Sequence, residues 1–116
     1  MAPPQDFEVT IEPSTGAATV RIHGDLDLSN ADALTEALTG AGASGHPVVA
    51  DLAGVTFIDS SAITALVTSA RMLTASGNRL ELGPRSTVVE RVLEITGLAE
   101  GTDDFDVQAA GPASGG

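Results

Sequence analysis

FIDSSAITALV, residues 57–67, decides the fold. It opens like a buried strand and closes like a helix, and the polar join is Asp59, Ser60 and Ser61. From Ser61 to Ser76, the residues Ile63, Leu66, Val67, Ala70 and Leu73 recur at helical spacing, and Gly77 is a natural stop. An apolar strand running straight into an amphipathic helix is half of a β-α-β unit, which implies a parallel sheet covered by helices.

Upstream, PVVADLAG (47–54) begins with an apolar run, as expected of a strand buried on both faces at the centre of a sheet. SNADALTEALTGAG (29–42) places Ala31, Leu34, Ala37, Leu38 and Ala41 on one helical face. Ser29, followed three residues later by Asp32, resembles a capping box. FEVTIE and AATVRIHG both alternate apolar with polar residues, and PSTG (13–16) between them carries turn chemistry. Together they predict an antiparallel hairpin. GDLD (24–27) then reads as a turn at the strand's end.

Downstream, RLELG is a short strand. STVVERVLEITGL is a helix with Val88, Val89, Val92, Leu93 and Ile95 inward. Ser86 is its expected cap, and Gly97 its left-handed stop, folding Leu98 back on Leu93. DDFDVQ is a candidate edge strand. The order is β-β-α-β-α-β-α: an α/β fold with a mixed sheet of four to five strands covered by helices. Residues 1–5 read as a flexible lead-in, 6–107 as one domain and 108–116 as a flexible Gly/Ala/Ser tail.

Composition narrows the function. Sixteen acids against five arginines, with no lysine, give a net charge of −11. That argues against nucleic acid and against anionic membrane surfaces, both of which require a basic footprint. With no cysteine, disulfides and thiolate metal sites are excluded. No signal-peptide pattern opens the chain and no apolar stretch approaches a membrane span, so a cytoplasmic protein without membrane insertion is expected.

Enzymatic chemistry finds no support. The two histidines stand apart: His23 lies on the polar face of a strand and His46 precedes a proline in a loop. The G-x-S-x-G elbow is missing around Ser60 and Ser61. No metal-ligand spacing and no phosphate-cradling glycine loop occurs. The expectation is no catalytic residue, no metal and no cofactor.

What remains is the Asp-Ser-Ser corner. Its plain reading is a helix cap, with Ser60 or Ser61 facing the free backbone N–H groups. Its functional reading is a modification site. A helix N-terminus tolerates an added phosphate, and a charge of about −1.5 to −2 there changes the surface that a partner meets.

Three blocks in order then resemble the STAS domain of bacterial anti-sigma factor antagonists. They are VRIHGDLDLSNADAL, VVADLAGVTFIDSSAITALV and RLELGPRSTVVERVLEITGL, spanning about residues 6–100. The resemblance implies the STAS fold and partner switching that controls transcription in a stress response. Unphosphorylated, such a protein binds an anti-sigma factor, usually a serine kinase of the histidine-kinase ATPase fold, and frees a sigma factor. The kinase, using its own ATP, phosphorylates and releases it, and a serine phosphatase reverses this.

By the same resemblance Ser60 is the phosphoacceptor. Asp27 lies at the partner interface, with Asp25, Asp59, Ser61 and Ala62 beside it. Ala62 stands where the family pattern has glycine, a departure that stiffens the helix start. No amphipathic stripe follows residue 103, where family members usually carry a further helix. Two other roles fit the resemblance less well. One is a non-switching STAS subunit of an assembly such as a lipid-transport ATPase complex. The other is a nucleotide sensor, which the −11 charge disfavours.

Overall fold

A computed structural model describes residues 7–12 and 16–108, with side chains from residue 16 onward. The elements are β1 (Phe7–Glu12), β2 (Ala17–Leu26), α1 (Ala31–Gly42), β3 (Val48–Ile58), α2 (Ser60–Ala75), β4 (Leu80–Arg85), α3 (Thr87–Thr96) and β5 (Phe105–Val107). The sheet order is β1-β2-β3-β4-β5. β1 pairs antiparallel with β2, from Phe7 opposite Ile22 to Glu12 opposite Ala17. The remaining pairs are parallel. The expected mixed sheet is present with five strands, and the apolar strand predicted for its centre, β3, holds that place.

Among the described side chains, one face of the strands from β2 to β5 and one stripe of each helix make the core. Ala18, Val20 and Ile22 of β2, Val48, Ala50 and Leu52 of β3, and Leu80 and Leu82 of β4 are fully buried. Leu34 and Leu38 of α1 and Leu66 and Leu73 of α2 pack against them. Each such leucine contributes about 1.5–3 kcal/mol by leaving water. α1 packs against α2 and along β2, α2 reaches β4 and β5, and α3 packs on β3 and β4.

Several expectations need correction. GDLD is no turn at a strand's end, because β2 runs on to Leu26. Gly24, at φ +83°, forms a bulge there, a conformation that costs glycine little. Phe57, read as buried, is 47% exposed. Ile95, read as inward, is 78% exposed, because it falls off the Val89–Leu93 stripe. Ser29 caps nothing: α1 starts after Asn30, and no side chain caps it. Gln108, read as the first residue of the tail, is tied to the sheet: its N–H donates to the Leu82 carbonyl and its own carbonyl accepts from Arg85. The lead-in at 1–5, most of the 13–16 turn and residues 109–116 lie outside the described residues.

Candidate functional site

The parallel ladder between β2 and β3 carries the GDLD segment to the Asp-Ser-Ser corner. Asp25 lies opposite Phe57, and Leu26 opposite Ile58. One step further, the Asp59 N–H donates to the Leu26 carbonyl at 3.1 Å. That bond holds Asp59 extended (φ −112°, ψ −179°) and places the first helical residue at Ser60.

The cap is therefore Asp59 and neither serine. An Asp59 carboxylate oxygen accepts the Ala62 N–H at 3.0 Å. Ser60 is the first residue of α2, and its side chain is exposed. Ser61 follows, half-buried. Among the described residues no hydrogen bond engages either hydroxyl. Ala62, expected at the interface, is fully buried, so its methyl group is not presented on the surface of the free protein.

The β2–α1 loop beside this corner is closed by its own polar groups. An Asp27 carboxylate oxygen accepts the Ser29 N–H at 2.9 Å and the Ser29 hydroxyl. The Asn30 side chain accepts from the Asp27 N–H at 2.9 Å and donates to the Asp25 carbonyl at 2.8 Å. Occupied in this way, Asn30 cannot cap α1. The Thr56 hydroxyl donates to the Asp25 carboxylate at 2.8 Å, a cross-strand bond that steadies an exposed acid.

Asp25, Asp27, Asp59, Ser60 and Ser61 thus gather at the carboxyl ends of β2 and β3, the end where open α/β sheets place their binding sites. The sequence reading missed Thr56 and Asn30, and it missed Leu28, which is 76% exposed. Leu28 leaves a signal all the same: it is the apolar residue of an otherwise polar loop. Among the described residues no cluster of acids and histidines could hold a metal ion, and no helix is long and apolar enough to cross a membrane.

The STAS domain family matches residues 8–106. The chain belongs to that family. Solved structures with the same fold include an anti-sigma factor antagonist from Mycobacterium paratuberculosis, 23% identical, with a TM-score of 0.71 over 95% of this chain and 92% of that one. The unphosphorylated anti-sigma factor antagonist SpoIIAA is 18% identical, with a TM-score of 0.63 over 94% and 93%. The phosphorylated form of SpoIIAA, the Bacillus cell fate determinant, is 19% identical, with a TM-score of 0.61 over 94% and 96%. No curated protein sequence matches the chain. At these identities the likeness of this STAS domain to the solved structures is one of fold.

Proposed function

We propose that this STAS domain is an anti-sigma factor antagonist, a non-enzymatic binding protein switched at Ser60. One observation carries the reading. Because Asp59 caps α2, the Ser60 hydroxyl is left exposed beside the Asp27 loop, with no hydrogen bond to it among the described residues. A serine serving as the cap would have its oxygen committed to the backbone.

The chemistry asked of this chain is small. The Ser60 oxygen attacks the terminal phosphorus of an ATP held by a partner kinase of the histidine-kinase ATPase fold. The new O–P bond forms as the bond to the ADP oxygen breaks, and the hydroxyl proton passes to a base of the kinase. The fold tolerates the product because the first N–H groups of α2 and the helix dipole favour an anion there. Partner binding is then lost, and a serine phosphatase restores it by hydrolysing the ester. Asp27 and Asp25 contribute fixed negative charge to the partner-facing surface, and the setting is cytoplasmic. ATP belongs to the kinase, so this chain needs no cofactor of its own.

The test is affinity capture from the source cell with wild-type, Ser60→Ala and Ser60→Asp baits, with phosphopeptide mapping of residues 22–71. The expected result is an ATPase-fold kinase recovered by the first two baits and not by the third, with phosphate on Ser60. Equal recovery by all three, with no phosphate under any growth condition, would make the chain a non-switching assembly subunit.

A further inference from the structure

β2 outruns its neighbour on one side. Its pairing with β1 stops at Ile22, opposite Phe7, while its pairing with β3 continues to Leu26, opposite Ile58. The Leu26 carbonyl points to the β3 side, where it accepts the Asp59 N–H at 3.1 Å. The Asp25 carbonyl, one residue earlier, points the other way, to the side where no described strand follows beyond Ile22. Its donor is the side-chain amide of Asn30, at 2.8 Å. The oxygen of the same amide accepts the Asp27 N–H at 2.9 Å. The Asn30 N–H in turn donates to the Asp27 carbonyl at 3.1 Å.

One side chain thus holds both neighbours of Leu26, and Leu26 holds Asp59. Asp59 caps α2, and Ser60 is the first residue of that helix. Among the described residues no hydrogen bond joins Asn30 to Ser60, so the influence of Asn30 runs through Leu26 and Asp59. The arrangement has a cost. Asparagine is among the best N-caps, and Asn30 stands at the N-cap position of α1, yet its side chain makes no capping bond there. A residue serving the helix alone would cap it. This one is committed to the end of β2.

We propose that Asn30 is a positioning residue for phosphoryl transfer to Ser60. By fixing both neighbours of Leu26 it sets where α2 begins, and so where the Ser60 oxygen stands when it attacks the terminal phosphorus and the bond to ADP breaks. This rests on the switch reading of Ser60 and adds a residue to it. Attack needs the reacting atoms about 3–3.5 Å apart, and a misplacement of about 1 Å costs about a hundredfold in rate. Loss of Asn30 therefore falls on the transfer step and not on capture by the kinase.

The experiment incubates full-length protein with ATP and an excess of each purified ATPase-fold serine kinase of the source cell. It reads the single-turnover rate at saturating kinase, the kinase concentration that gives half that rate, and thermal melting. Asn30→Ser removes both arms of the bridge and supplies a good cap for α1. It should melt close to wild type, lose at least about tenfold in rate and keep its half-saturation. Asn30→Asp keeps the acceptor for the Asp27 N–H, sets a carboxylate against the Asp25 carbonyl, and should show the same loss. Asn78 is the control, because its amide bridges the Gly42 and His46 carbonyls, at 3.2 and 3.0 Å, at the opposite end of the sheet. Asn78→Ser should lower the melting temperature and leave the rate unchanged. Amide exchange at Asp59 should quicken in Asn30→Ser and not in Asn78→Ser. A wild-type rate in either Asn30 variant would overturn the positioning role and leave the switch standing. A loss confined to half-saturation would overturn it too, making Asn30 part of a contact surface. So would an equal loss of rate in Asn78→Ser, which would trace the effect to general destabilisation. If no kinase labels Ser60 of wild type, both readings fall.

Discussion

The starts of α2 and α3 are built on one plan and differ in who does the capping. In each, a parallel strand ends, the next residue donates its N–H to the neighbouring strand, and a helix begins. Asp59 donates to the Leu26 carbonyl at 3.1 Å, and Ser86 to the Leu52 carbonyl at 3.2 Å. At α3 the Ser86 hydroxyl accepts the Val89 N–H at 3.4 Å, so the serine is consumed by the backbone. At α2 the Asp59 carboxylate takes that duty at 3.0 Å, and the serine moves one place inward, its hydroxyl engaged by none of the described residues. The lesson is that an acid before a serine is enough to turn a structural hydroxyl into an available one. The corner at α3 is therefore an internal control for the corner at α2.

The largest expected effect breaks the symmetry directly. Thr87 is the first helical residue of α3, exposed like Ser60. Ser60→Asp should weaken kinase binding by about tenfold or more, about 1.4 kcal/mol, while Thr87→Asp should leave it unchanged. Phosphopeptide mapping after incubation with the kinase and ATP should find Ser60 labelled and Thr87 unlabelled. Labelling of both would mean that an exposed hydroxyl at a capped helix start suffices, and that the Asp25–Asp27 loop adds nothing.

Next in size is the cap itself. Asp59→Ala removes the acceptor for an N–H of a buried residue and should lower stability by about 1–2 kcal/mol in a urea melt. Ser86→Ala, losing a longer bond, should lower it by about 0.5–1 kcal/mol. If the order reversed, Asp59 would not be the principal cap of α2, and Ser60 would have to share the task.

The two corners also mark what could be read from sequence. The helical stripes were legible because periodicity reports burial: Ile63, Leu66, Ala70 and Leu73 of α2 are all buried, as are Val89 and Leu93 of α3. The stop at Gly97 was legible too, since its φ of +79° and the Leu98 N–H bond to the Leu93 carbonyl follow from glycine chemistry. The cap of α2 was not. Asp59, Ser60 and Ser61 are all good caps, and local chemistry cannot choose among them. A long-range bond chooses, the one from Asp59 to Leu26. The same limit explains Gly24: a glycine at positive φ serves a turn or a bulge equally, and only pairing with β3 makes it a bulge. Juxtaposition of Asp27 with Ser60 depended on β2 and β3 being parallel neighbours, which the β-α-β order implies, whereas Thr56 and Asn30 became visible only once the strand ends were in register.

The smallest effect is the one that bears most directly on Ser60. Ser60→Ala should change stability by less than about 0.5 kcal/mol, as for an exposed position with no special contact. Alanine is a strong helix former and the hydroxyl engages no described group, so removing it opens no cavity and strands no partner. The variant should bind the kinase as wild type does and should take no phosphate. Ser86→Ala, in which the lost hydroxyl is the cap, sets the scale against which this null result is read. A loss at Ser60→Ala as large as that at Ser86→Ala would show the Ser60 oxygen serving the backbone after all. The difference in duty between Ser60 and Ser86 would then disappear, and with it the physical reason for reading the Ser60 hydroxyl as available.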